Sequence, residues 1–211
     1  MIHLEALPGT PLCKKSLPEI VAKAVKEAAI YRDAGLDAVM LENMHDVPYV
    51  RNAGPEIVAA MTVASVEVRR ALGPTYPIGI QVLAANNKEA VAIAQSVGLN
   101  FVRVEGFVFG HVADEGYIDG CGGDLLRYRR YIGADSSTIK VFADIKKKHS
   151  AHAITADVSI AETAHAAEYF LADGIIVTGA STGCEADLGE VISVRKVLSK
   201  HVPVLVGSGC T

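Results

Sequence analysis

Apolar residues follow two alternating rhythms along this chain. Short, nearly continuous runs occur at 2–7, 36–41, 77–83, 101–104, 139–145, 174–178 and 203–206. Runs of that length, bounded by polar or glycine residues, predict strands buried on both faces. Between them the apolar spacing changes to three and four. Ile20, Val21, Ala24, Val25 and Ala28 make one such stripe, Ile57, Met61, Ala64 and Val68 a second, and Val191, Val194 and Leu198 a third. That spacing predicts helices with one inward face. Start signals agree: Ser16 with Glu19 and Pro18, Gly54-Pro55, Asn86 with Glu89, Asp124, Ser159 with Glu162, and Asp187 with Glu190. Gly35, Gly73, Gly98 and Gly133 stand where helices should end.

Strand and helix thus alternate from end to end, which predicts a parallel sheet. No G-x-G-x-x-G follows the first strand, and nearly every strand ends in polar residues. Both facts favour a TIM-like (β/α) barrel over a doubly wound sheet. The expectation is a single α/β domain over residues 1–211, truncated after strand seven, with the last βα unit missing. Strands one and seven would then carry open edges, which invite pairing with a second copy. One segment breaks the alternation. Residues 107–123 hold five glycines and no clear period, the mark of a functional or disordered loop.

Applying a period of two to each strand gathers polar groups on one side. His3 pairs in parity with Glu5, Glu42 with Met40, Gln81 with Gly79, Glu105 with Arg103, and Lys146 with Asp144. In a barrel such residues, at strand C-terminal ends, face the mouth. Residues 141–149 are the most telling stretch, because Asp144 and Lys146 sit in or beside a buried run. Charges there need a partner or a polar cavity. Glu42, Glu105, Asp144 and Lys146 are therefore the candidate catalytic residues. Lys146 can serve as an electrostatic clamp or as a Schiff-base nucleophile. The plain alternative is a structural ion pair between Asp144 and Lys146, with Lys147 and Lys148 merely solvated. His3, Glu5, Asn43, Gln81, Asn86 and Arg103 complete the ring as candidate substrate contacts. Thr178, Gly179, Gly207, Ser208 and Gly209 join them as small-residue turns that can bind phosphate or simply close tightly.

Composition narrows the function. The 211 residues are half hydrophobic, enough for a substantial core. Twenty basic and 24 acidic residues are well mixed, for a net charge of −4, so no nucleic-acid footprint is present. No apolar run reaches the length of a transmembrane helix. Cysteines 13, 121, 184 and 210 form no C-x-x-C pair and fit a reducing, cytoplasmic setting, or an organellar matrix if a leader is missing. His149 and His152 form H-x-x-H and, with Asp144 and Glu105, raise a divalent metal as the one cofactor to consider. His111, in the glycine-rich segment, reads equally well as a solvated side chain.

Several long motifs resemble the BtpA (BtpA/SgcQ) family. They are the opening M-I-H-L-E-A-L-P-G-T-P, L-E-N-M-H-D-V-P-Y from Leu41, V-R-V-E-G from Val102, and A-D-I-K-K-K-H-S from Ala143. D-G-I-I-V-T-G from Asp173 and V-L-V-G-S-G from Val204 complete the set. The resemblance covers essentially the whole chain. It implies a TIM-like barrel of the phosphate-binding type and a phosphorylated small-molecule ligand, but no settled reaction. The family name comes from photosystem I biogenesis in cyanobacteria, although members occur in non-photosynthetic organisms. Three readings follow: an enzyme using acid/base or lyase chemistry on a small phosphorylated metabolite, a non-catalytic assembly factor, and a metal-dependent hydrolase.

Overall fold

A computed structural model describes residues 1–179 and 181–209. Ala180, in the turn after the sixth expected strand, and Cys210 lie outside the described residues. The chain divides into two compact units, Met1–Val102 with Ile132–Ile139, and Arg103–Tyr131 with Lys140–Thr211.

In the first unit, strands β1 (Ile2–His3), β2 (Val39–Glu42), β3 (Ile78–Gln81) and β4 (Phe101–Val104, of which Phe101 and Val102 belong here) run parallel in that order. Helices α1 (Leu17–Asp33), α2 (Pro55–Leu72) and α3 (Asn87–Val97) connect them and pack in sequence, α1 on α2 and α2 on α3. The expected stripes are the buried ones: Ile20, Val21, Ala24 and Ala28 on α1, and Ile57, Met61, Ala64 and Val68 on α2. At the start of α1, the Ser16 backbone N–H donates to Glu19 Oε2 at 2.8 Å.

Strands β1 and β3 are among those shorter than their apolar runs predict. Leu4 and Leu7 remain fully buried, but β1 stops pairing after Leu4 N–H donates to the Glu42 carbonyl. Leu7 N–H turns to Asp46 Oδ1 at 2.8 Å, and beyond β3 the Leu83 N–H turns to Asn43 Oδ1 at 2.7 Å. Side chains take over from the ladder, so buried backbone donors stay satisfied without strand geometry. Asn86 also departs from expectation. It stands at the N-cap of α3, but its side chain makes no capping bond and instead accepts from Ala53 N–H and donates to the Val50 and Ala84 carbonyls.

In the second unit the parallel order is β4 (Arg103 and Val104), β7 (Lys140–Asp144), β9 (Gly174–Thr178) and β10 (Val204–Gly207). Helices α4 (Gly122–Tyr131), α5 (Ile160–Tyr169) and α6 (Leu188–Val197) belong to this unit, and α5 packs on α6. A full capping box opens α5: Ser159 N–H donates to Glu162 Oε2 at 2.8 Å, and Glu162 N–H to Ser159 Oγ at 3.1 Å. The glycine-rich segment is ordered. It forms β5 (His111–Ala113) and β6 (Gly116–Ile118), which join β8 (Ser150–Ala151) in an antiparallel sheet of order β6-β5-β8. Its strands are only two or three residues long, too short for a periodic signal in sequence. No helix among the described residues is long and apolar enough to cross a membrane.

Candidate functional site

In the first unit the register sets three candidate residues side by side: His3 opposite Glu42, and Glu42 opposite Gln81. His3 Nε2 lies 3.1 Å from Glu42 Oε2. Gln81 is 3 % exposed, and its Oε1 is buried without a hydrogen-bond partner among the described residues. Glu5 does not join this row. Past the end of β1 it accepts from Lys23 at 2.6 Å and Lys15 at 2.9 Å, which hold its carboxyl down at about 2. Asn43 is fully buried and committed, donating to Asp46 Oδ2 at 2.9 Å besides accepting from Leu83. Burial is the main force that pushes Asp46 above the ordinary carboxylate range. Asn43 and Asp46 also line a cavity of about 230 Å³ with Thr10, Val50 and Glu56.

In the second unit, β7 ends at Asp144 and the backbone turns. Lys146 has φ of +45° and His149 of +56°, in the left-handed region that non-glycine residues seldom adopt. The shared parity expected for Asp144 and Lys146 ends with the strand. Asp144 is gripped by Arg103, with Nε to Oδ2 at 2.7 Å and Nη2 to Oδ1 at 3.1 Å, a bidentate fork. Lys146 Nζ instead donates to the Thr155 carbonyl at 2.7 Å. The ion pair that the plain alternative placed between Asp144 and Lys146 is instead Arg103–Asp144. Lys147, which the plain alternative leaves solvated, is mostly buried and lies 3.1 Å from Glu105 Oε1.

These residues converge on a recess of about 20 Å³, lined by Asp144, Lys146, Lys147 and Thr155 and by two histidines, His111 and His152. A space of that size takes one water-sized group. The antiparallel register of β5 on β8, Val112 opposite Ala151, brings the two imidazoles to 5.5 Å between ring centroids. Far from being solvated, His111 is 5 % exposed. Its pKa is lowered to about 4, by burial first and then by the charges of Lys147 and His152. His111, Lys147 and Thr155 thus line the recess, although none was among the candidates drawn from the sequence. Their seats depend on tertiary pairing, and only the positive charge of Lys147 was visible beforehand.

The proposed metal ligands do not assemble. His149 Nε2 shares a hydrogen bond with Thr182 Oγ1 at 2.9 Å, and His152 Nε2 with the Lys147 carbonyl at 2.9 Å. Among the described residues, no three His, Cys, Asp or Glu side chains are placed to hold a metal ion. The candidate phosphate turns are tightly packed. Thr178 Oγ1 accepts from Lys148 N–H, and Ser208 Oγ from Gly183 N–H. A Cβ on Gly179 or Gly209 would fall within 2.4 Å of the Cys184 carbonyl oxygen, so close backbone packing explains both glycines. A Cβ on Gly207 would meet Ile176 and Thr178.

Comparison with known proteins gives the chain its place. An uncharacterized mitochondrial protein, F13E9.13 of Caenorhabditis elegans, is 54 % identical over 213 residues, covering 99 % of this chain and 76 % of that protein. The photosystem I biogenesis protein BtpA of Synechocystis is 33 % identical, over 99 % of this chain and 71 % of its own length. Among solved structures, N-acetylmannosamine-6-phosphate 2-epimerase from Clostridium perfringens superposes with a TM-score of 0.56 at 14 % identity, over 99 % of this chain and 76 % of the epimerase. Orotidine 5'-monophosphate decarboxylase from Methanocaldococcus jannaschii gives 0.50 at 14 % identity, over 89 % and 84 %. Such identities speak for fold alone, and the fold class they support is the TIM-type α/β fold that strand order predicts. The BtpA family model matches residues 1–211, and the chain belongs to the BtpA family.

Proposed function

We propose that this protein binds a small phosphorylated metabolite and acts on it by acid/base or lyase chemistry at the recess of the second unit. One observation carries the reading: five ionisable side chains, His111, Asp144, Lys146, Lys147 and His152, line a single water-sized recess. Collecting buried charge is costly, and a pure scaffold has no use for it. Lys146 and Lys147 supply positive charge for an anionic ligand. Lys146 is held in a strained backbone conformation with its ammonium against a carbonyl, a placement typical of functional positions. It acts as an electrostatic clamp or forms a Schiff base with a ligand carbonyl. Arg103 holds Asp144, and Glu105 holds Lys147 in place. The names of the epimerase and the decarboxylase each contain a phosphate group, which supports the choice of phosphorylated over neutral ligands.

The name of the Synechocystis relative supports a second reading, a non-catalytic assembly role on the same fold. Titration calorimetry separates the two. The enzyme reading expects saturable binding of ribose 5-phosphate but not of ribose, weakened at least about tenfold in Lys146→Met, since a charged hydrogen bond is worth roughly that much. Equal binding by Lys146→Met, or none by the wild type, would count against it.

A further inference from the structure

The charges of the recess suit an anion, but His111 is not accounted for by charge. It is 5 % exposed, and its Nε2 is buried with no hydrogen-bond partner among the described residues. An unpaired buried imidazole nitrogen is a liability that folded proteins seldom keep without a use. Here the local structure holds the ring firmly. β5 is paired on both edges, by β6 and by β8. Gly106, with φ of +61°, lets the backbone pass so close that a Cβ would lie 2.7 Å from Ile118 and 3.8 Å from the His111 ring.

We propose that His111 donates a hydrogen bond from Nε2 to one ligand oxygen seated in this recess, a carbonyl, hydroxyl or phosphoryl oxygen. The inference rests on the reading of the recess as a small-anion site and names the group that enters it. Size argues for a single oxygen, because about 20 Å³ admits one water-sized group and not the body of a metabolite. Charge argues for an electron-rich one, because Lys146 and Lys147 line the same space and the lining carboxylate, Asp144, is already held by Arg103. Burial, Lys147 and His152 keep the imidazole uncharged at neutral pH. A neutral imidazole placed this way can stabilise negative charge growing on an oxygen without surrendering its proton. The class of chemistry this serves is proton removal next to a carbonyl, where the carbonyl oxygen gains charge as the C–H bond breaks. The C–H electron pair forms a carbon–carbon double bond while the carbonyl π pair moves onto the oxygen, and the proton passes to a carboxylate or imidazole of the recess, Asp144 or His152.

The test is a histidine-selective ¹⁵N NMR titration of the full chain with inorganic phosphate, alongside phosphate affinities of His111→Phe, His111→Gln and Lys146→Met. The expected result is an Nε2–H signal from His111 that shifts saturably, in step with binding. His111→Phe should bind phosphate at least about tenfold more weakly, the size of one lost charged hydrogen bond, without a fall in melting temperature. His111→Gln, which keeps a donor, should recover part of that loss. If Lys146→Met weakens binding while the His111 signal stays still and His111→Phe binds normally, the inference is overturned and the anion site stands. If the wild type binds no phosphate, the anion reading fails and takes the inference with it. Should His111→Phe fail to fold, the wild-type titration decides alone.

Discussion

Asp144 shows how a single position changes meaning between sequence and structure. Its charge within a buried run was legible, and so was the need for a partner. The partner was not, because it lies 41 positions away. With its side chain 1 % exposed and two bonds to Arg103, Asp144 has become part of the framework as well as of the recess lining. Asp144→Asn would leave Arg103 under-compensated. It should cost about 3–5 kcal/mol in urea unfolding, the usual penalty for breaking a buried ion pair from one side. A loss under about 1 kcal/mol would mean that the pair is not held as described. His111 gives a pH signature. Its folded pKa of about 4 lies below the ordinary 6.5, so the unfolded chain binds the extra proton first. Its contribution is fully present above about pH 6.5 and is lost as pH falls toward 4. Burial sets this window first, and the charges of Lys147 and His152 widen it. Wild type should therefore lose more unfolding free energy than His111→Phe between pH 6.5 and 4.5. Parallel profiles for the two proteins would show that His111 is not buried as found.

At the scale of elements, what is local was readable and what is long-range was not. Helix stripes and capping boxes lie within a few residues of one another, and α1, α2 and α5 appear where Ser16, Pro55 and Ser159 place them. Ser159→Ala should cost about 1 kcal/mol, as loss of an N-cap does. That would lower the melting temperature by roughly 2–4 °C in a chain of this size. No change at all would mean that Glu162 N–H finds another acceptor. Strand ends, by contrast, are set by Asn43, Asp46 and Asp173, side chains that take backbone N–H groups from distant positions. An apolar run marks burial, which Leu4 and Leu7 keep, but not pairing, which they lose. The sheet of β5, β6 and β8 was invisible because each strand is too short to show a period, and with it went the seat of His111.

For the molecule as a whole, alternation of strand and helix carried the fold class, and long motifs carried the family. Substrate and reaction depend on a handful of side chains around one recess, and fold class does not choose among chemistries. The central claim is that this recess makes the protein a receptor for a phosphorylated metabolite. Its most direct test is a melting series against phosphorylated sugars and nucleotides, each paired with its dephosphorylated form. A ligand that binds only the native state adds about 2.7 kcal/mol at one hundred times its Kd. With roughly 2–4 °C per kcal/mol at this chain length, that corresponds to about 5–11 °C. At least one phosphorylated compound should give such a rise, its dephosphorylated partner should give none, and Lys146→Met should abolish the difference. A series in which no phosphorylated compound moves the melting temperature, or in which both members of every pair move it equally, would contradict it.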